Sequence, residues 1–194
     1  MLTEWGRRSF RGLFEAVAQV FKTLHITPNM ITLSGLLLNC VVAYLIIAGR
    51  IQAGGVLYIF AAGFDAIDGT LARMVGVRSR FGAFWDSTLD RMGEAIVISA
   101  VGVWAALQGD AVGVGLAFAA LSTSYLVSYT RARAEGLGLD TKVGFGTRVE
   151  RYLVMVLALI TGYAVVGLAI IAIIAGVTVL QRIYDVWRQA NRPS

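Results

Sequence analysis

The sequence predicts an all-α integral membrane protein: six transmembrane helices preceded by an N-terminal amphipathic interfacial helix. Three observations predict it. Apolar residues fill 57% of the 194 positions, against about 45–50% in soluble domains, and mean hydropathy is +0.71. Charged residues make up only 15%, bunched between apolar stretches near the roughly 20 residues that span a bilayer. With six spans and an inside N-terminus, 16 of the 17 basic residues fall on one face and only Arg50 on the other. The positive-inside rule makes that basic face cytoplasmic.

In chain order, residues 1–25 read as the interfacial helix. Trp5, Phe10, Leu13, Phe14, Val17 and Phe21 recur at helical spacing, with Arg7, Arg8, Arg11 and Lys22 among them. Such a helix lies on an anionic membrane surface. Its interleaved charges and the lack of a small-residue cleavage site exclude a signal peptide. Four spans follow, at about Met30–Ala48, Gln52–Met74, Gly82–Leu107 and Ala111–Arg133. The apolar stretch Thr147–Trp187 is too long for one span and is split near Gly162–Gly167. A single span there would put Arg148 and Arg151 opposite Arg182, Arg188 and Arg192. Residues 1–194 form one membrane domain. Cys40 is the only cysteine and His25 the only histidine, which excludes an intramolecular disulfide and a Cys/His metal set. Cys40 reads as a small buried or lipid-facing residue and His25 as interfacial.

Of the twelve acids, only Asp110 falls on the outer face. Carboxylates contribute little to topology, so their gathering at the basic face calls for chemistry there. Asp65 and Asp68 are three residues apart, Asp86 and Asp90 four apart, so each pair shares a helix face. The connector with Gly76, Arg78 and Arg80 is a tight turn that packs the second and third spans antiparallel and joins the four carboxylates. Asp65 lies about 20 Å along the second span at about 1.5 Å per residue, near the inner interface. Four close carboxylates repel one another. Two hard divalent cations, Mg²⁺, Mn²⁺ or Ca²⁺ rather than zinc, would cancel that charge, and a paired-metal site suits phosphoryl chemistry; Mg²⁺ is the first expectation, with Mn²⁺ next. Ion pairing with Arg73, Arg78, Arg80 and Arg91 is the competing explanation for any single aspartate. Gly69 and Gly82 allow close approach of a ligand or helix, and Arg73 can meet a phosphate.

The segment resembles the signature of the CDP-alcohol phosphotransferase family. Asp65, Asp68, Gly69, Ala72, Arg73, Gly82, Asp86 and Asp90 fill its fixed positions at the family spacing. The resemblance implies that Asp65, Asp68, Asp86 and Asp90 hold two metal ions. It implies that Asp90 is also the base taking the proton of an acceptor hydroxyl, which attacks the β-phosphorus of a CDP-linked donor and releases CMP. Gly69, Arg73 and Gly82 would line the nucleotide and diphosphate. Thr27-Pro28-Asn29-Met30-Ile31-Thr32 resembles the family's start of the first span, where Pro28, Asn29 and Thr32 can reach the cytidine. The same residues also suit a plain helix start, with proline in the first turn and asparagine as a cap.

SYTRARAE (128–135), GTRVER (146–151) and TVLQR (178–182) resemble the phosphatidylinositol-phosphate synthase branch, bacterial or archaeal. This implies that Arg131, Arg148 and Arg182 bind the phosphate of inositol 1-phosphate, for which guanidinium geometry is suited. Anchoring to lipid headgroups is the simpler role for each arginine. Arg133 reads as structural, paired with Glu135, and Glu150 as orienting Arg148 or Arg151. The glycerol 3-phosphate branch is the nearest alternative, but its usual Asn-x-x-Thr-x-x-Arg and Gly-Lys-x-Lys-Thr segments do not appear. A phosphatidylserine synthase is a weaker option. A cation transporter is the alternative of another class, because acids in spans also serve ion paths. The resemblance further implies a homodimer in a prokaryotic plasma membrane, its site facing the cytoplasm and its donor tails either diacylglycerol or archaeol. No nucleic-acid partner is expected.

Overall fold

In the computed structural model, the described residues are 11–75 and 79–191, excluding the side chains of Arg11, Leu13, Phe14, Ala62, Asp65 and Ala66. Trp5, Arg7, Arg8 and Phe10 of the interfacial helix, Gly76 and Arg78 of the turn, and Arg192 lie outside them. The described residues form seven helices and no strand: α1 (Arg11–Thr23), α2 (Pro28–Ile47), α3 (Ile51–Val75), α4 (Arg80–Leu107), α5 (Ala111–Gly136), α6 (Arg148–Thr161) and α7 (Ala164–Ala190).

The helix starts follow local chemistry. The Thr27 hydroxyl accepts from the Met30 amide and Pro28 opens α2, where its missing N–H leaves no intrahelical bond unmade. Ser79 caps α4 through the Gly82 amide at 2.8 Å. Asp110 caps α5 through the Gly113 amide at 2.9 Å, so the one acid expected on the outer face has a structural role. Gly162 ends α6 at φ +81°, a left-handed cap that glycine adopts without a Cβ penalty. The long apolar stretch breaks there, at the start of the Gly162–Gly167 window. α6 is 14 residues long, bounded by Thr147 before it and the Gly162 cap after it, and residues 137–147 form the loop that leads to it.

Six helices close a ring in the spatial order α2, α3, α6, α7, α5, α4, with α4 also touching α7 across it; α1 packs on α3. α2 therefore stands between α3 and α4, which corrects the expectation that the turn packs the second and third spans directly against each other. The main core draws Val42 and Ile46 from α2, Tyr58 from α3, Val97 and Val101 from α4, Ala120 from α5, Leu159 from α6, and Leu168 and Ile171 from α7. The outer surface is apolar: Phe118, Leu157, Ile173 and Leu180 are all exposed. Helices α2, α5 and α7 are each long and apolar enough to cross a membrane. Short connections join α3 to α4 and α5 to α6, so the ends of α3, α5 and α7 and the starts of α2, α4 and α6 gather at one end of the ring. Nearly all of the charge predicted on the basic face belongs to that end. Cys40 is exposed on α2.

Candidate active site

At this end a cleft of about 900 Å³ opens between α1, α2, α3 and α4. Pro28, Asn29 and Thr32 enter its wall from the start of α2, Asp68, Gly69 and Arg73 from the end of α3, and Gly82 and Asp86 from the start of α4. All six residues expected to contact a CDP-linked donor therefore line one cavity. Two helix N-termini open onto it, and such termini favour anions. Lys22 and His25 add to its rim. His25 holds a left-handed backbone, φ 56°, at the bend between α1 and α2.

Gly82 is closely approached: a Cβ there would stand 3.0 Å from the Ser79 hydroxyl and 3.6 Å from Asn29 Oδ1, so α4 lies against the start of α2. At Gly69 a Cβ would come within 3.7 Å of Arg73 Nη1; the arginine folds back over that face and donates to Thr70 Oγ1 at 2.9 Å.

The aspartates divide between two cavities. Asp68 is 7% exposed, and Thr32 Oγ1 donates to its Oδ2 at 2.8 Å. Thr32 also lies 3.1 Å from Pro28 O, but a hydroxyl has one proton and the carboxylate is the stronger acceptor. Thr32 thus orients Asp68 while lining the cleft beside Pro28 and Asn29. Asp86 lines the same cleft. Asp90, one turn further along α4, lines a smaller cavity of about 30 Å³ with Asn39, Glu94, Arg148, Arg151 and Tyr152. Asp65 sits three residues before Asp68 on α3; its side chain lies outside the described residues. Among the described residues no three acidic, histidine or cysteine side chains form a closed metal cage. The donors at this end are nevertheless carboxylates, as a hard cation requires.

The expected acceptor arginines separate. Arg148 Nη1 meets Asp90 Oδ2 at 2.5 Å, a partner outside the four arginines named as competitors; of those four, Arg91 stands 4.0 Å from the same oxygen. Arg182 is 4% exposed. Its Nε donates to Val143 O at 3.2 Å and its Nη1 to Val127 O, which ties the 137–147 loop to α5. Arg131 is exposed and pairs with Glu135 at 2.8 Å. That corrects the pairing expected for Arg133: residues four apart share a helix face, whereas residues two apart do not. Glu150 bonds the Thr147 hydroxyl, and Arg151 pairs with Glu94, so Glu150 orients neither neighbouring arginine through these bonds. Arg131 and Arg151 still lie within electrostatic reach of Arg182. The sequence reading missed Glu94 and Arg151. Glu94 had a signal, because it continues the four-residue spacing of Asp86 and Asp90.

An apolar helical ring with an acidic, glycine-lined cleft at its charged end is the build of a membrane-type enzyme that handles phosphorylated substrates. The chain belongs to the CDP-alcohol phosphatidyltransferase family, which it matches over residues 25–181, and it is a transferase of phospholipid synthesis. It is 34% identical over 206 residues to the phosphatidylinositol phosphate synthase of Cutibacterium acnes, covering 96% of this chain and 98% of that one. It is 33% identical over 172 residues to the archaetidylinositol phosphate synthase of Pyrococcus horikoshii, covering 88% and 89%. Crystal structures of the Mycobacterium tuberculosis phosphatidylinositol phosphate synthase superpose with a TM-score of 0.85 at 30% identity, one with CDP-DAG bound and one with manganese and citrate. They cover 90% of this chain, and the chain covers 93% and 88% of theirs. Membership in this family sets aside the transporter reading.

Proposed function

We propose that the protein transfers a phosphatidyl-type group from CDP-diacylglycerol or CDP-archaeol to the hydroxyl of inositol 1-phosphate and releases CMP. The observation that carries this reading is the Asp90–Arg148 contact at 2.5 Å. It sets the expected base beside a guanidinium suited to an acceptor phosphate, next to the cleft that holds the six donor residues.

In this reading the donor's cytidine and diphosphate lie in the cleft against Pro28, Asn29, Gly69 and Gly82, with Arg73 at the phosphates. The acceptor's phosphate binds Arg148, with Arg131 and Arg182 supplying the surrounding positive charge. Asp90 takes the hydroxyl proton. The freed oxygen forms a bond to the β-phosphorus, the bond from that phosphorus to CMP breaks, and CMP leaves with the electron pair. Asp65, Asp68, Asp86 and Asp90 would hold two divalent cations, Mg²⁺ or Mn²⁺. Bound there, they polarise the phosphorus centre and stabilise the attacking and leaving oxygens. The manganese in a mycobacterial relative supports the donor chemistry.

The six ring helices are read as six spans, α1 as an interfacial helix, and the charged end as cytoplasmic. The enzyme is a homodimer in a prokaryotic plasma membrane, with the lipid tails entering sideways between spans.

The test is CMP release by purified enzyme with CDP-diacylglycerol and Mg²⁺, comparing inositol 1-phosphate with glycerol 3-phosphate. Preference for the inositol compound is expected. Preference for glycerol 3-phosphate would keep the transfer chemistry and overturn the acceptor. Absence of release with both would direct the assay to CDP-archaeol.

A further inference from the structure

Helix α4 presents Asp86, Asp90 and Glu94 at intervals of four residues, each about 6 Å further along one face. The function above uses the first two. Glu94 gives both oxygens to Arg151, which donates from Nε at 2.6 Å and from Nη2 at 2.8 Å. Arg151 is buried and Glu94 nearly so, their side chains 2% and 14% exposed. Arg151 follows Arg148 by three residues on α6, as Glu94 follows Asp90 by four on α4. Both helices start at the charged end, so the two ion pairs stack in matching order. Asp90–Arg148 is the open one, with the Arg148 side chain 40% exposed, and Glu94–Arg151 the closed one.

Stability alone does not explain the closed pair. Removing two charges from water costs about as much as their attraction returns, and apolar residues of similar volume often serve as well. A bidentate pair instead fixes the plane of the guanidinium. Here that fixed plane continues into the backbone. Arg151 Nη1 donates to Gly146 O at 2.8 Å, and the Gly146 amide donates to Thr178 Oγ1 at 2.8 Å. A Cβ at Gly146 would press into Ile174 O of α7. The backbone two residues before Arg148 is therefore clamped between Arg151 and α7.

We propose that Glu94 and Arg151 are positioning residues of the transfer reaction. Their buried pair sets the start of α6 against α4, holds the Arg148 guanidinium over Asp90, and so fixes the distance between acceptor phosphate and base. The proposal rests on the roles given above to Asp90 and Arg148.

The experiment measures kcat and KM of the purified full chain, varying CDP-diacylglycerol and inositol 1-phosphate separately, for Glu94→Gln, Arg148→Ala and the double variant. Glu94→Gln is expected to raise the acceptor KM about tenfold, with donor KM unchanged. In the Arg148→Ala background the same change is expected to add less than about twofold, because coupled residues are non-additive. Glu94→Asp, which keeps the charge, is expected to recover part of the loss. An equal effect in both backgrounds, or a fall in kcat with both KM values unchanged, would reduce the pair to a structural role and overturn the proposal. An unchanged acceptor KM in Arg148→Ala would instead strike the acceptor assignment, and the positioning role with it. Should Glu94→Gln fail to fold, Arg151→Lys carries the same comparison, since it keeps the charge and loses the bidentate geometry.

Discussion

At the scale of single residues, Asp68 and Asp90 illustrate how one side-chain type takes two environments on helices consecutive in the chain. Asp68 is buried and oriented by a hydroxyl, whereas Asp90 is held by a guanidinium. Asp90, as the proposed base, is expected to be the more sensitive. Asp90→Asn keeps the shape of the side chain and cannot accept the proton, so CMP release is expected to fall about 10²–10⁴-fold, with CDP-diacylglycerol binding retained in a direct binding assay. Full activity in that variant would remove the base assignment. Thr32→Val tests the other carboxylate. It is nearly isosteric and deletes the 2.8 Å bond to Asp68. Outer partners of metal ligands typically carry about 10–100-fold in affinity. Mn²⁺ titration followed by electron paramagnetic resonance is therefore expected to show about tenfold weaker binding. Unchanged Mn²⁺ affinity would mean that the Thr32 bond does not orient a ligand.

At the scale of elements, the loop between α5 and α6 does what the helices alone do not: it delivers Arg148. Gly146 has no room for a side chain, so Gly146→Ala is expected to cost about 1–3 kcal/mol of stability through overpacking. A thermal melt in detergent reads this. A melt indistinguishable from the parent would show that the loop is not clamped. The helices themselves were legible in the sequence to within about three residues, because hydropathy, Pro28 and the Ser79 and Asp110 caps act over a few neighbours. The break at Gly162 was legible for the same reason. The cleft was legible through two segments, the signature spanning Asp65 to Asp90 and the Thr27–Thr32 start of α2. The cross-helix pairs were not. Arg151–Glu94 and Arg148–Asp90 depend on α6 packing next to α3 and reaching α4 across the ring end. That spatial order is set by which apolar faces fit, not by spacing along the chain. The local pairing of Arg131 with Glu135 is different, since its four-residue spacing was readable and Arg133 was the wrong choice of partner.

At the scale of the whole molecule, the ring makes charge asymmetry and catalysis one property. A helix that crosses the bundle an odd number of times from the site must expose its far end on the opposite side of the membrane. Gln108 lies beyond the far end of α4, and Lys142 lies in the loop after α5 at the site end; both are exposed. α5 separates them, and its apolar length suffices to cross a bilayer. Cys40 is the only cysteine and is exposed on α2, so Cys40→Ser gives a clean background for single reporters. With a membrane-impermeant maleimide, Gln108→Cys is expected to react in intact cells. Lys142→Cys is expected to react only in inverted vesicles. Reaction of both from one side would mean that α5 does not span, and six spans could not stand. Reaction of Lys142→Cys from outside, with Gln108→Cys protected, would keep six spans and turn the site away from the cytoplasm. A phosphorylated acceptor made in the cytoplasm would then have no access, because a dianion does not cross the apolar ring unaided.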